Sequence, residues 1–318
     1  MTDTDKAMPL IIDCDPGQDD AIALMLAIAS PEELNLLGVS TVAGNVPLVL
    51  TEANARRIRD VAGRPDIPVF AGCPRPMVKT LETAEYVHGK SGIDGAGLPD
   101  PSRPAEAQHA VEWLIATLRN APEPITLATL GPLTNVATAI VMAPDILENI
   151  SELVLMGGAI GLGNITPAAE FNIYSDPHAA YVVFESGLKL TMIGLDLTHQ
   201  ARATPERLAA IRAVGNPAAV CTAGMIDFFS TLYIETFGES APLHDPCVIA
   251  FLLRPDLFAG QEVRVDIETA SPLTLGRTVC DMHDRGGHPA NAKVMQHIDS
   301  DGFFDLLTER LRRLPENL

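Results

Sequence analysis

The chain has 318 residues, 47% of them hydrophobic, and its 41 acidic against 22 basic side chains leave a formal net charge of −19. So large an apolar share supplies a sizeable core and excludes a disordered chain. The acidic balance argues against a nucleic-acid partner, because phosphate binding needs a basic footprint; it suits a cation site on an otherwise solvated acidic surface.

In chain order, the opening "MTDTDKAMP" holds no apolar h-region, so no signal peptide is expected, and no run reaches the ~18 apolar residues of a membrane span. Apolar runs suited to buried parallel strands follow at 10–13, 34–42, 125–130, 152–156 and 189–196. Helical spacing of apolar residues occupies 19–29, 48–62, 106–120, 133–143 and 177–186, with Pro31, Gly63 and Pro144 as stop signals. This alternation predicts an α/β fold, an open and mostly parallel sheet with helices on both faces. The later segments "EVRVDIE", "LTLGRTVC" and "AKVMQHI" predict short strands forming an antiparallel edge, before a last helix at 302–314. No repeat or composition shift marks a boundary, so one domain over 1–318 is expected, with residues 1–8 as a flexible tail. Cys14, Cys73, Cys221, Cys247 and Cys280 are odd in number and form no C-x-x-C pair, which reads as reduced thiols in a cytoplasmic protein.

Ligands of open α/β sheets bind beyond the carboxyl ends of the strands. The first such end is "LIIDCDPGQDDAIALMLA", where Asp13 and Asp15 leave the strand and Asp19 and Asp20 enter the first helical turn. An acidic first turn is favoured by the helix dipole by ~0.3–1 kcal/mol per charge, and Asp19 could cap the helix. Four carboxylates ask for more, because two like charges ~4 Å apart repel by ~4 kcal/mol at an effective dielectric of ~20. With no cationic side chain nearby in sequence, the pattern calls for a hard divalent cation, Ca²⁺ or Mg²⁺.

Such an ion needs ligands from further strand ends. "TLATLGPLTN" offers backbone carbonyls at Leu130, "VAGN" offers Asn45, and "APLHDPC" offers His244 and Asp245. "NITPAAEFNIYSDP" gathers Asn164, Glu170, Asn172 and Asp176. Simpler roles compete. Asp245 before Pro246 can be an N-cap, Asp176 before Pro177 is read as one, Asn45 can serve a turn, and His109 and His297 read as surface or packing residues.

These segments, with "HGKSGIDG", "LVLMGGA" and "GLDLTHQ", resemble in order and spacing the inosine–uridine-preferring nucleoside hydrolases, from about residue 8 to about residue 312. The resemblance implies the nucleoside hydrolase fold, a Rossmann-like sheet, and hydrolysis of a ribonucleoside to ribose and free base through a Ca²⁺-bound water and an oxocarbenium-like transition state. Position by position, it implies Asp15 as general base, and Asp13, Asp15, Asp20, Asp245 and the Leu130 carbonyl as ligands of the ion. Asp19 would bind the 2′-hydroxyl, Asn172 the 2′ and 3′ side, and Asn164 with Glu170 the 5′-hydroxyl. Asn45 would steady the attacking water and His244 assist departure of the base, with His88, Phe171 and Met156 as further substrate contacts. Leu130 replaces a common Thr, a change that a carbonyl ligand tolerates, and Gln18 carries no expectation.

The long Gly- and Pro-rich segment 73–104 is then expected to be a mobile flap that brings His88 inward. Phe228, Phe229, Tyr233 and Phe237 are the candidates to close over the base. A homodimer or homotetramer is implied by resemblance alone, and the preferred base stays open. Two other readings stand beside this one: a dehalogenase-type phosphatase built on the "DxD" at a strand end, and a non-catalytic calcium- or ribose-binding protein.

Overall fold

The computed structural model describes residues 6–317, apart from the side chains of Leu232, Thr236 and Phe237. Strand β1 (Met8–Cys14) turns Leu10, Ile12 and Cys14 toward one core and Ile11 toward the other, the period-2 alternation of a strand buried on both faces. It begins inside the expected tail, whose residues 1–5 lie outside the described ones. Helix α1 (Gln18–Ile28) is buried at every position, as its run of Ala, Ile, Leu and Met demands. Truncating Ile12 or Leu24 there to Ala is expected to cost about 2–5 kcal/mol.

Strand β2 (Leu34–Thr41), helix α2 (Leu48–Val61) and strand β3 (Val69–Ala71) build one wing, each strand parallel to its neighbour. The chain then passes through α3 (Glu85–His88) and α4 (Ala110–Arg119) to the other side of β1. Helix α4 starts four residues later than expected because the His109 ring accepts the Val111 N–H and caps it. There β4 (Ile125–Thr129) pairs parallel with β1, followed by α5 (Thr134–Met142), β5 (Ile150–Met156), α6 (Phe171–Ser175), α7 (Pro177–Phe184) and β6 (Leu190–Ile193). The run expected as a strand to 196 stops at Ile193, where Gly194 comes close to the Gly158 carbonyl and Leu195–Thr198 winds into α8.

Helices α9 (Pro205–Arg212), α10 (Pro217–Phe237) and α11 (Pro246–Leu253) then pack on one face. By length and composition α10 could cross a membrane, yet Ala218, Ala219, Met225, Ile226 and Phe229 are buried in the core. Strands β7 (Phe258–Ile267), β8 (Thr278–Asp281) and β9 (Ala292–Ile298) precede the closing helix α12 (Ser300–Leu311). The sheet order is β3-β2-β1-β4-β5-β6-β9-β7-β8. The antiparallel edge is therefore β7 and β8, whereas β9, expected at that edge, inserts parallel to β6 and buries Ala292, Val294 and Met295. Half of "LTLGRTVC" is turn and only Thr278–Cys280 is strand, with Gly276 at φ 78° against the Tyr174 backbone.

Two apolar clusters lie on opposite faces, one under α1, α2, α10, α11 and α12, the other under α4, α5 and α7. The wing β2–β3 and the wing beginning at β4 diverge from β1, so the topological switch point is the crevice beyond β1 and β4, where Asp13 stands in register with Thr129.

Candidate active site

The turn after β1 is tied by one carboxylate. Asp20 accepts the Asp15 N–H through Oδ1 at 3.1 Å and the Gly17 N–H through Oδ2 at 3.0 Å, and Oδ2 also receives the Asn45 side-chain amide at 3.1 Å. Gly17, not Asp19, is the N-cap, so the capping role open to Asp19 is not taken. Asp15 is wholly buried; its Oδ2 accepts the Asn45 backbone N–H at 2.7 Å while Oδ1 has no hydrogen-bond partner. A Cβ at Gly44 would lie 2.0 Å from Asp15 Oδ2, and one at Gly131 2.3 Å from Oδ1. Two glycines thus open the slot that this carboxylate fills.

Asp13 lies one layer deeper. Its Oδ1 accepts the Ser40 hydroxyl and, at 2.8 Å, the Asn135 amide, and its Oδ2 is buried without a partner. Asn135 also donates to the Thr41 carbonyl at 3.0 Å and accepts the Cys73 N–H at 2.8 Å, joining the ends of β1, β2 and β3. The sequence alone assigns no role to this asparagine or to Gly44, although "LGPLTN" and "VAGN" contain them.

Asp19, Asp20 and Asp245, all buried, each place a carboxylate oxygen within 4.8 Å of the others. Asp245 does stand at the N-cap of α11 with Pro246 after it, but its side chain makes no capping bond to the helix. Asp176 does cap α7, accepting the Ala179 N–H at 3.1 Å. Burial raises the Asp13 and Asp20 carboxyls to about 7, with Asp19 adding to Asp20. Asp245 and Asp15 are pushed well above the usual carboxylate range, first by burial and then by their acidic neighbours. Among the described residues no Lys or Arg pairs with any of the five. A buried, oxygen-only, uncompensated cluster with orphaned oxygens on Asp13 and Asp15 fits a hard divalent cation.

Above the cluster opens a cavity of about 1090 Å³. Asp19, Asn45, Leu130, Met156, Asn164, Glu170, Phe171, Asn172, His88, His244 and Asp245 all line it, whereas Asp13, Asp15 and Asp20 lie beneath its floor. Asn172 spans the floor, its Nδ2 donating to the Leu130 carbonyl at 2.7 Å and the Met156 carbonyl at 3.1 Å. Glu170 caps α6, with Oε1 accepting the Asn172 N–H and Oε2 the Gly158 and Ile173 N–H groups. Burial still raises its carboxyl to about 7 against those three donors. Asn164 Oδ1 accepts the Phe171 N–H at 2.9 Å.

The cavity lining also includes aromatic rings. His244 Nδ1 lies 2.8 Å from the Thr198 hydroxyl and Nε2 3.4 Å from the Tyr233 hydroxyl. His88, carried in on α3, stacks with Phe229 at 6.0 Å between ring centres, and Phe229 meets Tyr233 at 5.0 Å. Of the aromatic candidates, Phe229 and Tyr233 line the cavity, Phe228 does not, and the Phe237 side chain lies outside the described ones. Burial lowers His88 to about 4 and His244 to about 3, so both rings are neutral near pH 7. Thr198 sits inside "GLDLTHQ", where spacing alone gives it no role.

The family model for the inosine-uridine preferring nucleoside hydrolases matches residues 10–305. The chain is 49% identical over 311 residues to an uncharacterised protein of Schizosaccharomyces pombe, covering 97% of this chain and all of that one. It is 50% identical over 305 residues to the pyrimidine-specific ribonucleoside hydrolase RihA of Shewanella sp. ANA-3, covering 95% and 96% of the two chains. The solved purine-preferring ribonucleoside hydrolase of Gardnerella vaginalis superposes with a TM-score of 0.89 at 33% identity, over 96% and 98% of the chains.

Proposed function

The chain belongs to the inosine–uridine preferring nucleoside hydrolases, and on that premise we propose that it is a Ca²⁺-assisted hydrolase acting preferentially on pyrimidine ribonucleosides. Hydrolysis of a ribonucleoside N-glycosidic bond follows from the family, which sets aside the phosphatase reading. The preference for pyrimidines is supported by the 50% identity to a relative described as pyrimidine-specific.

The observation that carries the reading is the make-up of the cavity, where a buried acidic cluster and two neutral histidines meet in one lining. Asp20, Asp245, the free Oδ1 of Asp15 and the Leu130 carbonyl would hold the ion, and Asp13 has only Oδ2 left to offer. Bound there, Ca²⁺ would neutralise the clustered carboxylates, orient a sugar diol and acidify a water. Asp15 takes the proton of the attacking water, held for that by the Asn45 N–H on its other oxygen. Asp19 and Asn172 grip the 2′ and 3′ hydroxyls, and Asn164 with Glu170 the 5′-hydroxyl. As the glycosidic bond breaks, positive charge grows on the ribose, and the carboxylates around it stabilise that charge. The departing base accepts a hydrogen bond from a His244 N–H, which Thr198 and Tyr233 align, and takes its proton from solvent after it leaves.

A reducing-sugar assay over uridine, cytidine, inosine, adenosine and guanosine tests the proposal. Uridine and cytidine should give the highest kcat/KM. Rates led by the purines would overturn the preference, and no ribose from any substrate would overturn the activity.

A further inference from the structure

Gln18 opens α1 beside the acidic turn, is only 2% exposed, and has no part in the chemistry above. Its side chain reaches segment 73–104 at three points. Nε2 lies 2.9 Å from the His88 carbonyl and 3.3 Å from the Asp94 carbonyl, and Oε1 lies 2.6 Å from His88 Nδ1. Carbonyl oxygens only accept, so the amide NH₂ must face the two carbonyls and Oε1 must face the ring. A flipped amide would set Oε1 against two oxygens. Because Oε1 is itself only an acceptor, the proton between it and the ring belongs to Nδ1.

We propose that Gln18 is a positioning residue that locks His88 in its Nδ1-protonated tautomer, so that the ring presents an Nε2 lone pair, not a proton, to the substrate cavity. This rests on the nucleoside-hydrolase reading and assigns His88 a role inside it. His88 accepts a hydrogen bond from a hydroxyl or N–H of the bound nucleoside and does not protonate the leaving base. The ring has little freedom otherwise: a Cβ at Gly17 would sit 2.6 Å from Nδ1, and Phe229 stacks along its face. His244 contrasts with it, since both of its nitrogens face hydroxyls, Thr198 and Tyr233, which can donate or accept. The hydrogen-bond donor and the fixed acceptor are thereby divided between two neutral rings. The two bonds to the His88 and Asp94 carbonyls also fasten the segment to α1, so one side chain sets both the tautomer and the place of the ring.

The test is ¹⁵N–¹H correlation of the histidine rings in the full-length, calcium-loaded protein, with His88 identified through His88→Gln. An Nδ1-protonated pattern is expected in the wild type, shifting toward the Nε2-protonated form in Gln18→Leu. Gln18→Glu keeps the acceptor but loses both donors, and should retain the Nδ1-protonated pattern. An Nε2-protonated His88 in the wild type, or an unchanged pattern in Gln18→Leu, would overturn the assignment. In kinetics Gln18→Leu should lose up to roughly tenfold in kcat/KM, the scale of one positioned hydrogen bond, mainly through KM. Should the wild type release no ribose, the functional reading fails, while the spectrum of the wild type still decides the tautomer.

Discussion

Asn45 holds Asp15 from two sides, its backbone N–H donating to Oδ2 at 2.7 Å and its side-chain amide to the Asp15 carbonyl at 3.2 Å. One carboxylate oxygen is thereby spent and the other, Oδ1, is left without a hydrogen-bond partner in a slot that Gly44 and Gly131 leave open. Asp15→Asn is expected to lower kcat by about 10²–10⁴-fold, the scale of a lost general base, with the thermal transition retained. Gly131→Ala should reach a similar loss by displacing the carboxylate, since its Cβ would lie 2.3 Å from Oδ1. Steady-state kinetics beside circular dichroism checks both, and a Gly131→Ala enzyme of full activity would contradict the slot.

Metal-free stability should fall as the solution becomes alkaline. Burial raises Asp13 and Asp20 from 3.8 to about 7, so their contribution is full below 3.8 and is lost as the pH rises through about 7. His88 and His244, lowered from 6.5 to about 4 and about 3, act in the opposite sense, their contribution being present above 6.5 and lost as the pH falls below it. Scanning calorimetry of chelated protein should therefore show Tm dropping between about pH 6.5 and about pH 8. Calcium binding near neutrality should release protons, seen as a buffer-dependent heat in titration calorimetry. Buffer-independent heats would place no titrating carboxylate at the ion.

His244 near pH 7 is neutral, so it can serve the leaving base only through a ring N–H that Thr198 or Tyr233 directs. His244→Ala should cost roughly 10²-fold or more on uridine and far less on a ribosyl 4-nitrophenolate, whose leaving group needs no proton. Thr198→Val should follow the same pattern in weaker form. Equal losses on both substrates would remove His244 from that role.

Asp176 is wholly buried outside the cavity lining and carries three bonds, from the Met77 and Ala179 N–H groups and the Thr134 hydroxyl, each at 2.8–3.1 Å. Asp176→Ala removes a helix cap and orphans two further donors. A loss of about 2–4 kcal/mol in urea unfolding is expected, with KM for uridine unchanged.

What the sequence made legible was local. Pro16-Gly17 after an apolar run marks the β1–α1 turn, and four aspartates beside it have no ordinary use, so the crevice could be located before its shape was known. Tertiary pairing was not legible. Nothing within "AKVMQHI" tells that β9 slips between β6 and β7, since strand direction depends on neighbours far along the chain. Helix α10 is apolar on most sides and shows no clean period, which hides the face that brings Phe229 and Tyr233 to the cavity. Gln18 and His88 stand 70 residues apart, and Asn135 meets Asp13 across 122, distances over which spacing carries no signal.

Ribose release from uridine by fully chelated protein, followed as Ca²⁺ is titrated back, tests the central claim most directly. The account predicts negligible turnover without the ion and saturable recovery with it, abolished in Asp245→Ala. Undiminished turnover by the chelated wild type would contradict it.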